Sequence, residues 1–384
     1  MAKTTPNHTQ VVSGWAALDS SGKITPYIFN RRENGVNDVT IKILYCGICH
    51  TDLHFARNDW GITMYPVVPG HEITGIVVEV GSNVSNFKTG DKVGVGCIAA
   101  SCLQCEFCNN SEENYCDKLQ LTYNGVFWDG SITYGGYSKT LVADYRFVVA
   151  VPENLPMDRA APLLCAGVTV YAPMKDNNLI GSPRKNIGVI GLGGLGHLAI
   201  KFAKAFGHHV TVISTSSSKE KEAKTKLGAD DFILSSNEQQ MKSRQKTLDF
   251  ILDTVSANHS LGPYLELLKV KGTFFIVGAP DKPMGLPSFP LIFGKKHNTS
   301  FYKDCVGRFC DNNPLNYEIA GKRTVKGGIV GSIKETQEMI DICGKYNIMC
   351  DIEIVTPDRI NEAYDRIDKN DIKYRFVIDI AGQS

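Results

Sequence analysis

The chain has 384 residues, with 41 Lys and Arg against 40 Asp and Glu for a net charge of +1, and it holds 36 glycines and 12 cysteines. This length predicts two domains, and a near-neutral balance without a long basic run excludes nucleic acid or an anionic membrane as the main partner. No apolar run reaches transmembrane length. "MAKTTPNHTQVVSG" lacks the apolar stretch of a signal peptide, and "IAGQS" carries no address or lipidation motif. The cytosol is the expected compartment, so the cysteines are expected as metal ligands or core thiols, not as a disulfide framework.

Residues 1 to about 165 are turn-rich with short β-like runs. "DVTIKILYC", "ITGIVVEVG", "DKVGVG" and "YSKTLVADYRFVVAVP" alternate or cluster β-branched residues between Gly, Asn and Asp. A mostly β domain is predicted there. The texture changes after Pro162. "NIGVIGLGGLGHLAIKFAKAFGHHVTVISTS" reads as strand, glycine turn, helix and strand, and "TLDFILDTV" and "KGTFFIVGAP" are short apolar strands with helical segments before them. That alternation predicts an α/β unit with a doubly wound parallel sheet. Towards the end, "KETQEMIDICGKYNI" and "RINEAYDRIDKNDI" read as helices and "KYRFVIDIA" as a strand. There is no internal repeat.

"CLQCEFCNNSEENYC" spaces Cys102, Cys105, Cys108 and Cys116 as C-x2-C-x2-C-x7-C. Two-residue gaps let three sulfurs converge on one ion and a short loop brings the fourth. Four thiolates suit tetrahedral zinc and leave no open position, so a structural zinc site is predicted. The competing reading, an iron–sulfur cluster, fits less well because ferredoxin-type spacings differ.

A second donor set lies further apart. Cys49 in "YCGICHTDLH", His71 in "VPGHEITG" and Cys165 in "PLLCAGVT" offer two thiolates and an imidazole, one known pattern for a catalytic zinc with an open position. Glu72 can enter as a ligand when substrate leaves, and Asp52 can hold the His71 ring and fix its tautomer. Each of these residues is ambiguous alone, and a cysteine on an apolar run is more often a core thiol. Cys46 and Cys97 are expected to be core thiols.

"GVIGLGGLG" gives G-x-G-x-x-G at Gly191, Gly193 and Gly196, with Gly194 and Leu195 opening the helix that follows. The motif follows a strand and opens a helix within a βαβ unit, the context of a dinucleotide site. The next strand ends at "VISTSSSK" with no acid before Glu220. Ser214, Thr215 and Ser216 offer hydroxyls and Lys219 a cation, where an acid would repel a 2′-phosphate. NADP is expected over NAD.

Together these pieces resemble the zinc-dependent medium-chain dehydrogenases and, more narrowly, the plant cinnamyl alcohol dehydrogenase family. The resemblance is carried by "CGICHTDLH", "PVVPGHEITGIVVEVG", "GDKVGVG", the cysteine quartet, "YGGYS", "PENLPMDRAAPLLCAGVTVY", "GLGGLGHLAIKFAKAFG" and "KYRFVIDI". It implies a GroES-like β domain (residues 1–168 and 332–384) with the zinc sites, and a Rossmann NADP domain (169–331). By the same resemblance Cys49, His71 and Cys165 bind a catalytic zinc with Glu72 as interchangeable ligand, giving two zinc ions per chain. Thr51 and His54 form a proton relay, and Trp60 and residues 121–128 line the substrate cleft. The implied enzyme is a homodimer joined through the strand of "KRTVKGG", interconverting primary allylic or aromatic alcohols and aldehydes. "LTYNGVFWDGSITYGGYS" looks closer to the monoterpenoid-alcohol branch than to the lignin enzymes.

Two other readings stand beside this one. Reduction of an alkaloid iminium ion yields a neutral amine and needs no relay, so the presence of Thr51 and His54 favours a carbonyl. An impaired isoform is the other, because Lys295–Gly321 interrupts the family pattern. His297, Cys305 and Cys310 make a thin metal set there. Removing this segment joins "LIFG" to "KRTVKGG". Both junctions can be written with intron-end bases after the first base of a glycine codon. A retained intron is therefore expected, weakening dimerisation and activity.

Overall fold

The structure, a computed structural model, describes residues 9–280, 284–286 and 322–382. The Lys295–Gly321 segment, and with it His297, Cys305 and Cys310, lies outside the described residues. The main elements in chain order are β1 (Asp38–Ile48), α1 (His50–Arg57), β2 (Ile73–Val80), β3 (Lys92–Val95), β4 (Thr140–Asp144), β5 (Val149–Ala150) and α2 (Ala166–Asp176). Next come β6 (Asn186–Ile190), α3 (Gly194–Ala205), β7 (His209–Ser214), β8 (Asp231–Leu234), β9 (Leu248–Asp253), β10 (Leu268–Ile276) and β11 (Thr324–Gly327). The chain ends with α4 (Ile333–Tyr346), β12 (Ile352–Val355), α5 (Ile360–Asp368) and β13 (Arg375–Asp379).

Two compact units result, Met1–Ala172 with Ile329–Ser384, and Pro173–Gly328. In the first, a seven-stranded sheet runs β5-β3-β2-β1-β13-β12, with β4 also paired to β1. The long strand β1 is its hub and places Cys49 directly past its last residue. The core of this unit holds Ile41, Ile43, Ile48, Leu53, Ile73, Tyr137 and Phe376, all 1% exposed or less. The run "YSKTLVADYRFVVAVP" is not one strand. Asp144 accepts a bond from the Arg146 amide (3.0 Å), and this cap turns Tyr145–Phe147 into a 3-10 helix that separates β4 from β5.

The second unit is the predicted doubly wound sheet. Six strands run β8-β7-β6-β9-β10-β11, and every pair is parallel. The order reverses between β7-β6 and β9, and the crevice at such a switch point is where α/β sheets take ligands. Strands β6, β7 and β9 are buried apolar runs, as sheets covered on both faces require. Helix α4 shows the sequence setting a boundary. Ser332 and Glu335 exchange backbone bonds of 3.0 and 3.2 Å as a capping box, and Asn347 closes the helix at φ +55°. Among the described residues, no helix is long and apolar enough to cross a membrane.

Candidate functional site

The cysteine quartet is assembled. The sulfurs of Cys102, Cys105, Cys108 and Cys116 lie within 4.8 Å of one another. Cys105 and Cys108 are 3.5 Å apart, and Cys102 and Cys108 3.8 Å. A tetrahedron of thiolates about 2.3 Å from zinc has edges of about 3.8 Å, so the set fits that ion. Leu103 and Ser111, at φ +57° and +59°, make the tight reversals between donors. A backbone bond to Gln104 brings the Cys102 thiol down to about 6, while Cys105, despite a backbone bond to Cys108, is pushed up to about 11 by burial and the neighbouring sulfurs, so the four thiols divide one negative charge unevenly among them.

The second set is assembled from three places in the fold. Ligand atoms of Cys49, His71, Glu72 and Cys165 lie within 4.8 Å of one another. Cys49 caps α1, His71 and Glu72 precede β2, and Cys165 closes the 3-10 helix Ala161–Leu164. Asp52, fully buried, ties the first two together. Its carboxylate accepts from the Cys49 amide (2.8 Å), the Gly70 amide (3.1 Å) and the Tyr137 hydroxyl (3.3 Å), and stands 3.3 Å from His71 Nδ1. With Nδ1 on Asp52, Nε2 is the nitrogen left for a metal.

The electrostatics call for a cation. Burial opposes charge on His71, yet Cys97 and Asp52 beside it hold the imidazole well above its usual range. The Cys165 thiol, with His71 and Arg375, holds Cys49 well below the usual thiol range against its burial. Burial pushes the Glu72 carboxyl up to about 8, against the pull of Arg375, whose guanidinium donates to Oε1. Glu72 Oε2 has no hydrogen-bond partner despite full burial. An orphaned carboxylate oxygen among two thiols and an imidazole is a donor set that fits zinc.

On α1, Thr51 and His54 are three residues apart and share a helix face. His54 Nδ1 stands 2.8 Å from the Asp59 carboxylate, and its ring lies 4.8 Å from Trp60. Trp60 meets Phe55 edge-on at 5.2 Å, Phe55 meets Tyr123 at 5.2 Å, and Tyr123 stacks on His71 at 5.7 Å. A continuous chain of aromatic rings therefore joins His54 to His71. The stretch 121–128 runs into the Gly125–Val126/Ile132–Thr133 hairpin, where Phe127 sits under the Arg32 guanidinium (4.8 Å). Trp128, 52% exposed, borders a separate groove of about 280 Å³ with Arg32, Leu103 and Arg146.

In the second unit, Gly191 at φ +88° makes the turn out of β6. A Cβ at Gly196 would stand 2.1 Å from the Gly191 oxygen, whereas the space beside Gly193 is open, a cradle for a ligand's phosphates. The amides of Gly194, Leu195 and Gly196 precede the first bond of this turn, His197 N–H to the Gly193 oxygen (3.0 Å), and so point to an anion. Lys219 Nζ reaches back to the Leu192 oxygen (3.0 Å), bringing the end of β7 against the glycine loop. Ser214 is buried and accepts from the Ser216 amide (3.2 Å), while Thr215 is exposed.

Cys46 is buried in the core, as expected. Cys97 is half-buried and packs against the apolar cluster of Ile98, Ala100 and Phe147. The sequence singles out neither Asp59 nor Arg375. A carboxylate five residues past His54 is a weak signal, and Arg375 meets Glu72 only because β13 pairs with β1.

Residues 35–153 match the alcohol dehydrogenase GroES-like domain, and residues 194–308 match the zinc-binding dehydrogenase family. A rice protein (Oryza sativa subsp. japonica) named "Probable cinnamyl alcohol dehydrogenase 6" is 62% identical over 384 residues, covering 100% of this chain and 99% of its own. The 8-hydroxygeraniol dehydrogenase of Catharanthus roseus is 52% identical over 374 residues, 97% of this chain and 96% of that one. The crystal structure of CAD from Helicobacter pylori complexed with NADP(H) superposes with a TM-score of 0.84 at 35% identity, covering 98% of this chain and 100% of that one. The chain belongs to the zinc-binding alcohol dehydrogenases, within the cinnamyl alcohol dehydrogenase family, and is an oxidoreductase.

Proposed function

We propose that the protein is an NADP(H)-dependent reductase of apolar allylic or aromatic aldehydes, working reversibly on the primary alcohols. The observation that carries this is the aromatic wall from Trp60 through Phe55 and Tyr123 to His71, which ends on the candidate metal ligands. When bound, zinc at Cys49, His71 and Cys165 supplies Lewis acidity towards a carbonyl oxygen, and the nicotinamide supplies hydride. Asp52 holds His71 in the tautomer that presents Nε2. Glu72, with Oε1 on Arg375 and Oε2 free, is poised to exchange at the same centre. His54 carries the proton: Asp59 orients the ring through Nδ1 and leaves Nε2 to exchange, with the Thr51 hydroxyl on the same face of α1.

For the cofactor, the amides of Gly194, Leu195 and Gly196 receive the pyrophosphate, and Ser214, Thr215, Ser216 and Lys219 recognise the 2′-phosphate. The absence of an acid at the end of β7 supports NADP, as does the NADP(H) complex of the Helicobacter relative. A homodimer through β11 completes the proposal. This strand closes one side of its sheet, with Thr324, Lys326 and Gly327 exposed. The His54–Asp59 pair favours a carbonyl over an iminium ion, whose reduction yields a neutral amine and needs no proton relay.

Steady-state turnover of cinnamaldehydes, geranial-type aldehydes and cyclic iminium ions tests this reading. The expected result is aldehyde reduction with kcat/KM for NADPH above that for NADH by about 10- to 100-fold, or ~1.4–2.7 kcal/mol. Turnover of the iminium ions alone, or a preference for NADH, contradicts it.

A further inference from the structure

Asp253 ends β9, beside the switch point of the parallel sheet, and is fully buried. Its main-chain oxygen accepts the Val277 and Gly278 amides (3.0 and 3.2 Å), and its Oδ1 accepts the Val255 amide (3.1 Å). Its Oδ2 touches His259 Nε2 at 3.0 Å, yet neither atom has a hydrogen-bond partner, so the contact is an ion pair whose N–H is not aimed along it. His259 Nδ1 stands 2.9 Å from the Ala257 oxygen. A carbonyl can only accept, so Nδ1 is protonated, and Nε2 attracts the carboxylate only when a proton lies between them. Burial lifts the Asp253 carboxyl above its usual range against the pull of His259.

The pair closes a short loop that lies on the glycine turn. The Thr254 amide and hydroxyl both bond the oxygen of Ile190, the last residue of β6 (3.1 and 2.7 Å). A Cβ at Gly191 would stand 2.9 Å from the Val255 side chain and 3.0 Å from the Thr254 hydroxyl, and one at Gly196 would stand 3.3 Å from the same hydroxyl. Thr254 and Val255 are therefore the backing of the turn that cradles the phosphates. Val255 is itself held from behind, where a Cβ at Gly278 would stand 2.1 Å from its oxygen. Tyr264 meets the His259 ring edge-on at 5.6 Å. We propose that His259 is a positioning residue for the dinucleotide: paired with Asp253, it holds Thr254 and Val255 against Gly191 and so sets the affinity for the cofactor. This role rests on the NADP(H) reading above. Loss of the ring leaves a fully buried carboxyl oxygen without its partner, and moving the segment that His259 ends relieves the penalty.

Fluorescence titration with NADPH and steady-state kinetics on the zinc-loaded protein test the pair. His259→Leu should raise both Kd and KM for NADPH by about tenfold, while kcat at saturating NADPH falls by less than about threefold and KM for the aldehyde stays where it was. His259→Gln, whose side-chain amide can donate to Asp253 Oδ2, should bring NADPH binding back to within about threefold of the unmodified protein. A residue that serves the fold alone would lower Tm and leave the Kd of the folded protein unchanged, and that result overturns the proposal. So does a His259→Gln protein that binds no better than His259→Leu. If His259→Leu does not fold, hydrogen exchange of the unmodified protein decides: NADPH should slow exchange across residues 253–259 together with 191–196, and slowing at 191–196 alone overturns the proposal. Absence of NADPH binding to the unmodified protein overturns the NADP(H) reading itself, whereas binding that neither substitution changes overturns this role alone.

Discussion

Cys49→Ser is expected to lower kcat/KM for aldehyde reduction by about a thousandfold or more, or ~4 kcal/mol of transition-state stabilisation, and to remove one of two zinc ions. The effect should fall on the metal and not on the fold. The Asp52 carboxylate bonds the Cys49 amide, and a serine hydroxyl can take the place of the thiol in the capping box with the Asp52 amide, so the cap of α1 and the orientation of His71 survive the substitution. What is lost is a thiolate that Cys165, His71 and Arg375 together keep easily ionised. A hydroxyl at that position does not ionise near neutrality and is a poor zinc ligand. Metal analysis, circular dichroism and steady-state kinetics on one preparation check this. Retained activity with two zinc ions would show that Cys49 is not a ligand.

Cys105→Ser acts on the other site and in the other way. Structural zinc contributes folding free energy directly, and a shell of four thiolates reduced to three holds it far less tightly. The quartet has few other supports: its donors sit on tight reversals and a four-residue helix, Glu106–Asn109. The lobe also braces the approach to α4. Asn114 donates to the Ile329 oxygen (3.2 Å), and the Ile333 amide donates to the Glu113 carboxylate. Loosening the quartet therefore frees the start of a long packed helix. The expected result is a fall in Tm on the order of 10 °C, or aggregation on expression. A soluble variant with unchanged Tm and two zinc ions contradicts a closed structural site.

Much of this was legible in the sequence because local patterns carried it. The quartet is confined to fifteen residues whose spacing states its geometry, and the glycine loop announces itself through the strand before it and the helix after it. Strands β6, β7 and β9 are apolar runs whose parallel pairing follows from the helices between them. What stayed hidden depends on pairings across long sequence distances. Arg375 reaches Glu72 through the registry of β13 on β1, and the chain after β3 meets the turn before Cys165 because Gly96 fits against the Leu164 oxygen. Neither contact leaves a periodicity. Trp128 lies in the turn of the Gly125–Val126/Ile132–Thr133 hairpin, and the groove it borders with Arg32 and Arg146 likewise depends on residues distant in sequence.

Aldehyde reduction by this chain is proposed to depend on a zinc ion at Cys49, His71 and Cys165. A titration with a chelator tests it most directly, with zinc content and NADPH-dependent aldehyde reduction read on the same samples. The open-site ion should leave before the ion of the four-thiolate shell. Turnover should vanish with that first zinc and return on adding one equivalent back. Aldehyde turnover that persists in protein stripped of its first zinc would contradict the account.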